Sequence, residues 1–435
     1  MNQHNNNQTA AVLPRRRSRR LATIIPASDW VSIGYSQQEA HAMERLQNDM
    51  KKYCDEEDET TIVLKGTFND ILPHHDMLLP HWNRLAKALH GRTSINSIRI
   101  AAISMPVSVV DIMFPAFQSM NNLVDLRFCA ARLGDYRKLL SFVKDNTRLQ
   151  KFVLGMQELE NVSIANSLAN AVNDHPSLEV IGLIQCGLNN ATVLRIILEG
   201  CARLNSISIQ DNNLGSESAA VIADFIRSNH QTEVLDFSRN NIKDNDIELI
   251  ASALMNNTNL SQLNLKDNDI TEEGEKHILK AVFDPTSMNS IIESNHTCFP
   301  FAFDPSKTSE IVQRSRLEQN VFIINDDCNI SIKEKIRQKV VLALCGVEGE
   351  LFDLSYLNDL PLKVMPRVLE LIQEHTALRS MVLNGTRNTP QLERDVLSRL
   401  FHTLRGWELP LLFENLKGPS TKGATGKRKR RKTRC

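Results

Sequence analysis

The chain has 435 residues, 42% hydrophobic, 23% charged and only 5% aromatic, which is enough apolar material for a core spread over two or three structural units. No run of 18 apolar residues exists, which excludes a bilayer-spanning helix, and the Asn/Gln-rich, then basic, start lacks the apolar centre of a secretory signal. The 51 basic and 51 acidic residues cancel, but residues 1–25 hold five Arg and no acid, and residues 417–435 hold nine Lys/Arg and no acid. The remainder therefore stands at −14, a sign that repels nucleic acid and leaves only the tails to attract it.

Residues 1–58 read as a largely disordered basic region with one short helix, and Arg15–Arg20 is a loose basic run. Its acid-poor composition also fits an organellar transit peptide. A strand is expected at Thr61–Leu64 and a helix from His81 to His90. His74, His75, Asp76 and His81 form the one cluster that resembles a metal site. They lack paired ligand spacing, and a hydrogen-bonded surface group is the expectation, with no metal or cofactor. The eight cysteines show no CxxC pair and no regular spacing, so reduced thiols in an intracellular chain are expected.

From residue 95 onward the chain repeats itself. Leu204-xx-Ile207-x-Ile209-xx-Asn212-x-Leu214 recurs 28 residues later from Thr232 with Leu235, Phe237, Asn240 and Ile242, and again from Leu260 with Leu263, Leu265, Asn268 and Ile270. The same frame runs upstream with Cys186, Gln157 and Ala131 in the Asn slot, and a weak copy begins at Ile95. Apolar residues two apart mark one face of a short strand. The Asn that follows is placed to pair backbone groups at the strand end, so Asn212, Asn240 and Asn268 should form a ladder. Ile222, Ala223 and Ile226 recur as Ile250, Ala251 and Leu254, then as Ile278, Leu279 and Val282, with the spacing of a helix buried along one stripe. Ser216, Asp244 and Thr271 stand where N-caps belong. A strand–helix unit of this size cannot bury its apolar face alone and must stack.

This pattern resembles the ribonuclease-inhibitor type of leucine-rich repeat, over residues 95 to 290. The resemblance implies an α/β fold: a right-handed solenoid, or horseshoe, with a parallel concave sheet and helices outside. It also implies that the concave face holds a protein partner. The strand positions between core residues would supply that face: Arg99, Arg127, Val153, Gly182, Ser208, Asp236 and Asn264, and one step on Ile184, Gln210, Ser238 and Lys266. The expected domains are residues 59–300, a repeat array closed by a cap, and 301–416, a helical unit, followed by a disordered basic tail at 417–435.

At the end of the array Met288 and Ile291 keep the strand frame, whereas Glu293 and Asn295 break it. The aromatic stretch Cys298–Pro305 reads as a cap over the last core layer. Beyond it, Ile332, Ile336, Val340 and Leu344 predict a helix with an apolar stripe, and further helical stripes run through Met365–Ile372 and Leu392–Leu404. In the tail, Lys427, Arg428, Lys429, Arg430, Arg431 and Lys432 fit a nuclear-import address read by an import receptor, or a patch for weak, non-specific nucleic-acid binding. No nucleophile elbow, zincin or dinucleotide fingerprint occurs, and Gly418–Gly423 is followed by Ala424 where a phosphate loop requires lysine. The expected function is a non-enzymatic, predominantly nuclear interaction scaffold. The alternatives are an adaptor holding RNA or DNA through its tails, and a regulator of the kind that activates the Ran GTPase. Such regulators share the repeat class but carry an acidic C-terminal segment, where this chain is basic.

Overall fold

The computed structural model describes residues 23–301, apart from 68, 69, 130, 131, 135 and 287, and then 321 and 324–345. The chain divides into two compact units, Met1–Gln157 with Asp174–Leu178, and Glu158–Asn173 with Glu179–Cys435. Strands are joined by helices in each, and the strand pairings within each unit are parallel among the described residues. Each unit is thus a stack of leucine-rich repeat coils.

Unit 1 opens with two helices, α1 (Ala27–Ile33) and α2 (Gln37–Asp55). The sequence suggested one short helix within residues 1–58; residues 1–22, with the basic run Arg15–Arg20, lie outside the described residues, and the causes of the two helices that follow are local. Ser36 caps α2 by accepting from the Glu39 N–H at 3.2 Å, while the Glu39 carboxylate accepts from the Ser36 N–H at 2.9 Å. Trp30, Met43, Leu46 and Met50 are fully or almost fully buried. The helix also closes an open sheet edge. The Tyr53 hydroxyl accepts from the Val63 N–H at 2.9 Å and donates to the Val63 carbonyl at 3.3 Å, and Arg45 donates to the Gly66 carbonyl at 2.7 Å. Edge groups that would otherwise template another strand are thereby paired.

The sheet of unit 1 runs β1 (Thr61–Lys65), β2 (Ser97–Ala101), β4 (Asp125–Cys129) and β6 (Lys151–Gly155). A minor parallel pair, β3 (Ser104–Met105) with β5 (Arg132–Leu133), follows β2 and β4. The connections carry α3 (Leu79–Leu89), α4 (Val107–Gln118) and α5 (Tyr136–Asp145). The register lines up Ile62, Ile98, Leu126 and Phe152 in one buried column. Behind it Phe114 stacks on Phe128 and meets Phe142 edge-on, with ring centroids 6.1 and 5.7 Å apart.

Unit 2 contains α6 (Val162–Asn173), β7 (Val180–Ile184), α7 (Ala191–Gly200), β8 (Ser206–Ser208), α8 (Ser216–Arg227), β9 (Val234–Asp236) and α9 (Asp244–Met255). These are followed by β10 (Gln262–Asn264), α10 (Glu272–Val282), α11 (Met288–Glu293), β11 (Phe299–Phe301) and α12 (Ile332–Cys345). Ile181, Ile207, Leu235 and Leu263 stack in register, each at most 1% exposed. Burying each contributes roughly 1.5–3 kcal/mol of transfer free energy. Helices pack as closely as their side chains permit: a Cβ on Gly200 of α7 would stand 2.6 Å from the Ala169 Cα of α6.

The Asn ladder forms as the spacing predicts. The Asn240 side-chain oxygen accepts from the N–H groups of Asn212 and Leu214 at 2.8 and 3.1 Å, and its amide donates to the carbonyls of Ile209 and Phe237 at 2.9 and 2.8 Å. Asn212 serves Cys186 and Leu188 in the same way at 2.7 and 3.3 Å, so the coil that lacks its own Asn still has its backbone paired. Asn268 accepts from Ile242 at 3.1 Å. In unit 1 Gln157 occupies the slot, buried, donating to the Gly155 carbonyl at 3.0 Å and bonded to Tyr136. Ala131 lies outside the described residues.

A second set of polar side chains pairs the backbone where each helix turns back into a strand. In unit 1 the His175 Nδ1 accepts from the N–H groups of Ser177 and Leu178 at 3.2 and 2.9 Å, and its other ring nitrogen meets the Asn146 carbonyl at 2.7 Å. In unit 2 Asn257 accepts from Asn259 and Leu260 at 3.0 and 2.7 Å and donates to the Ile226 carbonyl at 2.7 Å. Asn295 repeats that pattern with Thr297 and Cys298. Helix-end carbonyls receive donors too: Arg203 reaches those of Asn173 and Val172 at 2.6 and 2.9 Å.

Several local expectations need correction. Gly215 and Lys243, not Ser216 and Asp244, hold the N-cap positions of α8 and α9, because those helices begin one residue earlier than the cap pattern implied. Thr271 is the cap of α10 and accepts from the Glu273 N–H at 3.3 Å. Met288–Glu293 is a helix, and the strand falls at Phe299–Phe301, where Pro300 aligns with Leu263. Cys298 and Pro300 are buried there and Phe299 is half-exposed; residues 302–305 of the expected aromatic cap lie outside the described residues.

Helix α12 forms where predicted, and its expected apolar stripe is buried in part: Ile332 is exposed, Ile336 half-buried and Val340 buried, with Lys335 and Lys339 buried as well. The Lys339 amino group meets the Val282 carbonyl at 2.6 Å, the Asn295 carbonyl at 2.7 Å and His296 Nδ1 at 3.0 Å. Burial, then the charge of Lys335, pushes Lys339 down to about 6. Burial, then the charge of Lys339, pushes His296 down to about 4. The stripes at 365–372 and 392–404, and the tail, lie outside the described residues.

Two outcomes are expected. Asn240→Ala should lower stability by about 3–5 kcal/mol, since several buried backbone groups lose partners at once. Asn241→Ala, at an exposed neighbour, should change it by less than about 0.5 kcal/mol. Urea midpoints measure both.

The second outcome concerns pH. Lys339 has a folded value below its usual 10.5, so the unfolded chain binds the extra proton between there and about 6, and stability falls as pH drops through that window. His296 extends the fall from 6.5 to about 4. Between pH 9 and 6 the wild type should lose up to about 1.4 kcal/mol per unit more than Lys339→Met, which denaturant titrations at the two pH values would show.

Candidate functional site

Alternation along the strands puts one row of side chains into the core and sets the other row on the open face of each sheet. In unit 1 the pairing places Arg99 of β2 directly opposite Arg127 of β4, with Ser97 opposite Asp125 and Lys151 of β6 on the far side of Asp125. Two guanidinium groups set opposite each other repel, and Asp125 relieves this. Arg127 grips it with Nε at 2.9 Å and Nη2 at 2.8 Å, Ser97 donates at 3.2 Å, and Arg99 approaches at 3.5 Å. Burial alone would raise the Asp125 carboxyl, but Arg127, with Ser97 and Arg99, outweighs it and holds the group below the usual carboxylate range.

In unit 2 the pairing aligns Gly182, Ser208 and Asp236, and then Asn264 beside Asp236. The next outward position brings Gln210 and Ser238 to the same carboxylate. Gln210 Nε2 donates to the Ser208 hydroxyl at 2.9 Å and to Asp236 at 2.7 Å, and Ser238 donates to Asp236 through its N–H at 3.0 Å and its hydroxyl at 2.7 Å. Asn264 accepts from the Lys266 N–H at 3.2 Å. Ile184, Ser208, Gln210, Asp236, Asn264 and Lys266 are half-exposed, whereas Ser238 is buried. In unit 1 Arg99 is exposed, Arg127 half-exposed and Val153 buried.

The predicted face residues therefore fall into two groups. Ser208, Gln210, Asp236 and Ser238 form one hydrogen-bonded set in unit 2; Arg99 and Arg127 join a different set in unit 1. Sequence reasoning missed Asp125 and Lys151, which precede the strand positions it sampled. The signal was present: the same two-residue period carries both onto the Arg127 face.

A column of left-handed residues borders the strand ends of unit 2, at Gln185, Asp211, Arg239 and Asp267, with φ between 53° and 58°. Each stands just before the Asn slot, where the turn aims the next N–H inward. The conformation costs L-residues roughly 1–2 kcal/mol each. It is offset by bonds from the N–H groups of Gln185, Asp211 and Arg239 to the Gln210, Ser238 and Lys266 carbonyls at 3.0, 3.2 and 2.8 Å.

His74, His75, Asp76 and His81 do not converge. His75 Nδ1 accepts from the Met77 N–H at 3.1 Å, His81 is buried, and His74 lies 3.7 Å from Asp76. Among the described residues no three His, Cys, Asp or Glu groups gather around a point that could hold a metal, and no helix is long and apolar enough to cross a membrane. The described cysteines are free, and burial pushes the Cys201 thiol up to about 12. Residues 427–432 lie outside the described residues.

No family model matches the chain, and no curated protein matches it. Among solved structures it is similar to an internalin (inlF) of Listeria monocytogenes, with 14% identity, a TM-score of 0.25, and coverage of 60% of this chain and 90% of that one. The repeat assignment rests on the chain's own register and side-chain ladders.

Proposed function

We propose that this chain is a non-enzymatic protein-interaction scaffold that binds a partner through the outward side chains of its parallel strands. The observation that carries the reading is the state of those side chains. They sit on short strands locked in register, and Asp125 and Asp236, the face carboxylates that could act as bases, are each held by several donors. A surface ordered before binding loses little conformational freedom on forming a complex. Coils 28 residues apart, joined by helices such as α8 and α9 of 12 residues, support the ribonuclease-inhibitor subtype in unit 2.

We further propose that Lys427–Lys432 is read by an import receptor and directs the chain to the nucleus. Binding through such a tail is ionic and collapses as salt rises, whereas a sheet-face complex is less sensitive.

Ser208→Arg combined with Asn264→Arg in the full chain should abolish capture of a partner protein and leave the thermal midpoint within a few degrees. Glu217→Arg, on the exposed side of α8, should leave capture intact. If the double variant captures everything that the wild type does, the face is not the binding surface. For the tail, a fluorescent fusion ending at Gly423 should lose the nuclear enrichment of the full chain, and unchanged distribution would dismiss the address.

A further inference from the structure

The sheet face of unit 1 carries more positive charge than its own residues neutralise. Its outward positions hold Lys65, Arg99, Arg127 and Lys151 against one carboxylate, Asp125. Arg127 takes both oxygens of that carboxylate. Arg99 touches it only at 3.5 Å and stays 47% exposed, with most of its five N–H donors unspent. Among the described residues no acceptor is found for the rest of the Arg99 guanidinium, nor an ionic partner for Lys65 or Lys151.

The surroundings of these cations are specific as well. Val63 and Val153 flank the Arg99–Arg127 pair along the sheet, and Ala101, Cys129 and Gly155 make a row of small residues beside it. A planar fork over an apolar floor suits a carboxylate carried next to aliphatic side chains. Asp125 shows the pairing in miniature, since the same fork already binds a carboxylate in two-point fashion.

Resting on the scaffold reading above, we propose that the unit 1 face, centred on Arg99 with Lys65 and Lys151, docks an acidic segment of a protein partner, with glutamate or aspartate side chains set between aliphatic ones. The face of unit 2, where Asp236 occupies the centre, has no matching excess of charge. The carboxylate of the partner completes the set of acceptors around Arg99 that Asp125 only half supplies, and Lys151 steers its approach.

The test uses the full chain and fluorescein-labelled peptides alternating Glu and Val, with a Gln/Val peptide and a single-stranded oligonucleotide of equal length as comparisons, read by fluorescence anisotropy in 50 and 300 mM salt. The Glu/Val peptide should bind. Arg99→Gln and Lys151→Gln should each weaken it by about tenfold, and Lys276→Gln on α10 should leave it within twofold. Arg99 and Lys151 are surface positions, and melting curves establish that the variants fold. The Gln/Val peptide should not bind measurably. The proposal is overturned if the Glu/Val peptide fails to bind, if Lys276→Gln weakens it as much as Arg99→Gln, or if the oligonucleotide binds more tightly through Arg99. Any of these outcomes leaves the scaffold reading standing if the Ser208 and Asn264 substitutions still remove the captured partner; loss of that result sinks the scaffold and not merely the acidic segment.

Discussion

A short strand ends in backbone N–H and C=O groups that the strand itself does not pair, and where the stack buries them, pairing them from side chains of the same or the adjoining coil is the constraint on which the rest stands. An unpaired buried group costs about 1–3 kcal/mol, and a stack of coils would accumulate that cost at every turn. Asn212, Asn240 and Asn268 meet it at the ends of the strands. His175, Asn257 and Asn295 meet it where helices return to strands. Each of these side chains accepts and donates at once, which is why an amide or imidazole stands there and a carboxylate does not.

That constraint also explains the surface. Once both ends of a strand are fixed, its outward side chains inherit a fixed register, so Arg99 must face Arg127 and Asp236 must stand beside Ser208. Charges brought together in this way either find partners within the sheet or remain available. Asp236 is enclosed by Gln210 and Ser238. Arg127 is spent on Asp125, whereas Arg99 remains largely unspent. The face is a consequence of the core, and its chemistry differs between the two units because the residues between the core positions differ.

Much of this was legible in the sequence where a period repeats without error. The 28-residue spacing identified Leu235, Leu263 and their column, and the first Asn ladder, because strand alternation and the strand-end turn use the same positions in each copy. The second set was not recognised, although an Asn or His six residues before the central strand residue recurs at Asn146, His175 and Asn257. It lies outside the leucine frame, and its chemistry is shared by two residue types. Helix α12 was placed correctly, and Val340 of its stripe is buried, but the burial of Lys335 and Lys339 was not foreseen. An apolar period does not register a lysine drawn inward by helix-end carbonyls, as those of Val282 and Asn295 draw Lys339. The strand at Phe299–Phe301 was obscured because one coil departs from the 28-residue spacing, so the frame pointed at a helix.

The most direct test of the central claim is native-state amide hydrogen exchange at Cys186, Leu188, Asn212, Leu214 and Ile242, whose N–H groups end on Asn side chains. If these side chains hold the coils in register, the five amides should exchange only through global unfolding, as slowly as the N–H groups of the strands. Exchange by local opening, at rates like those of exposed loop amides, would contradict the account, because the stack would then be held by apolar contact alone.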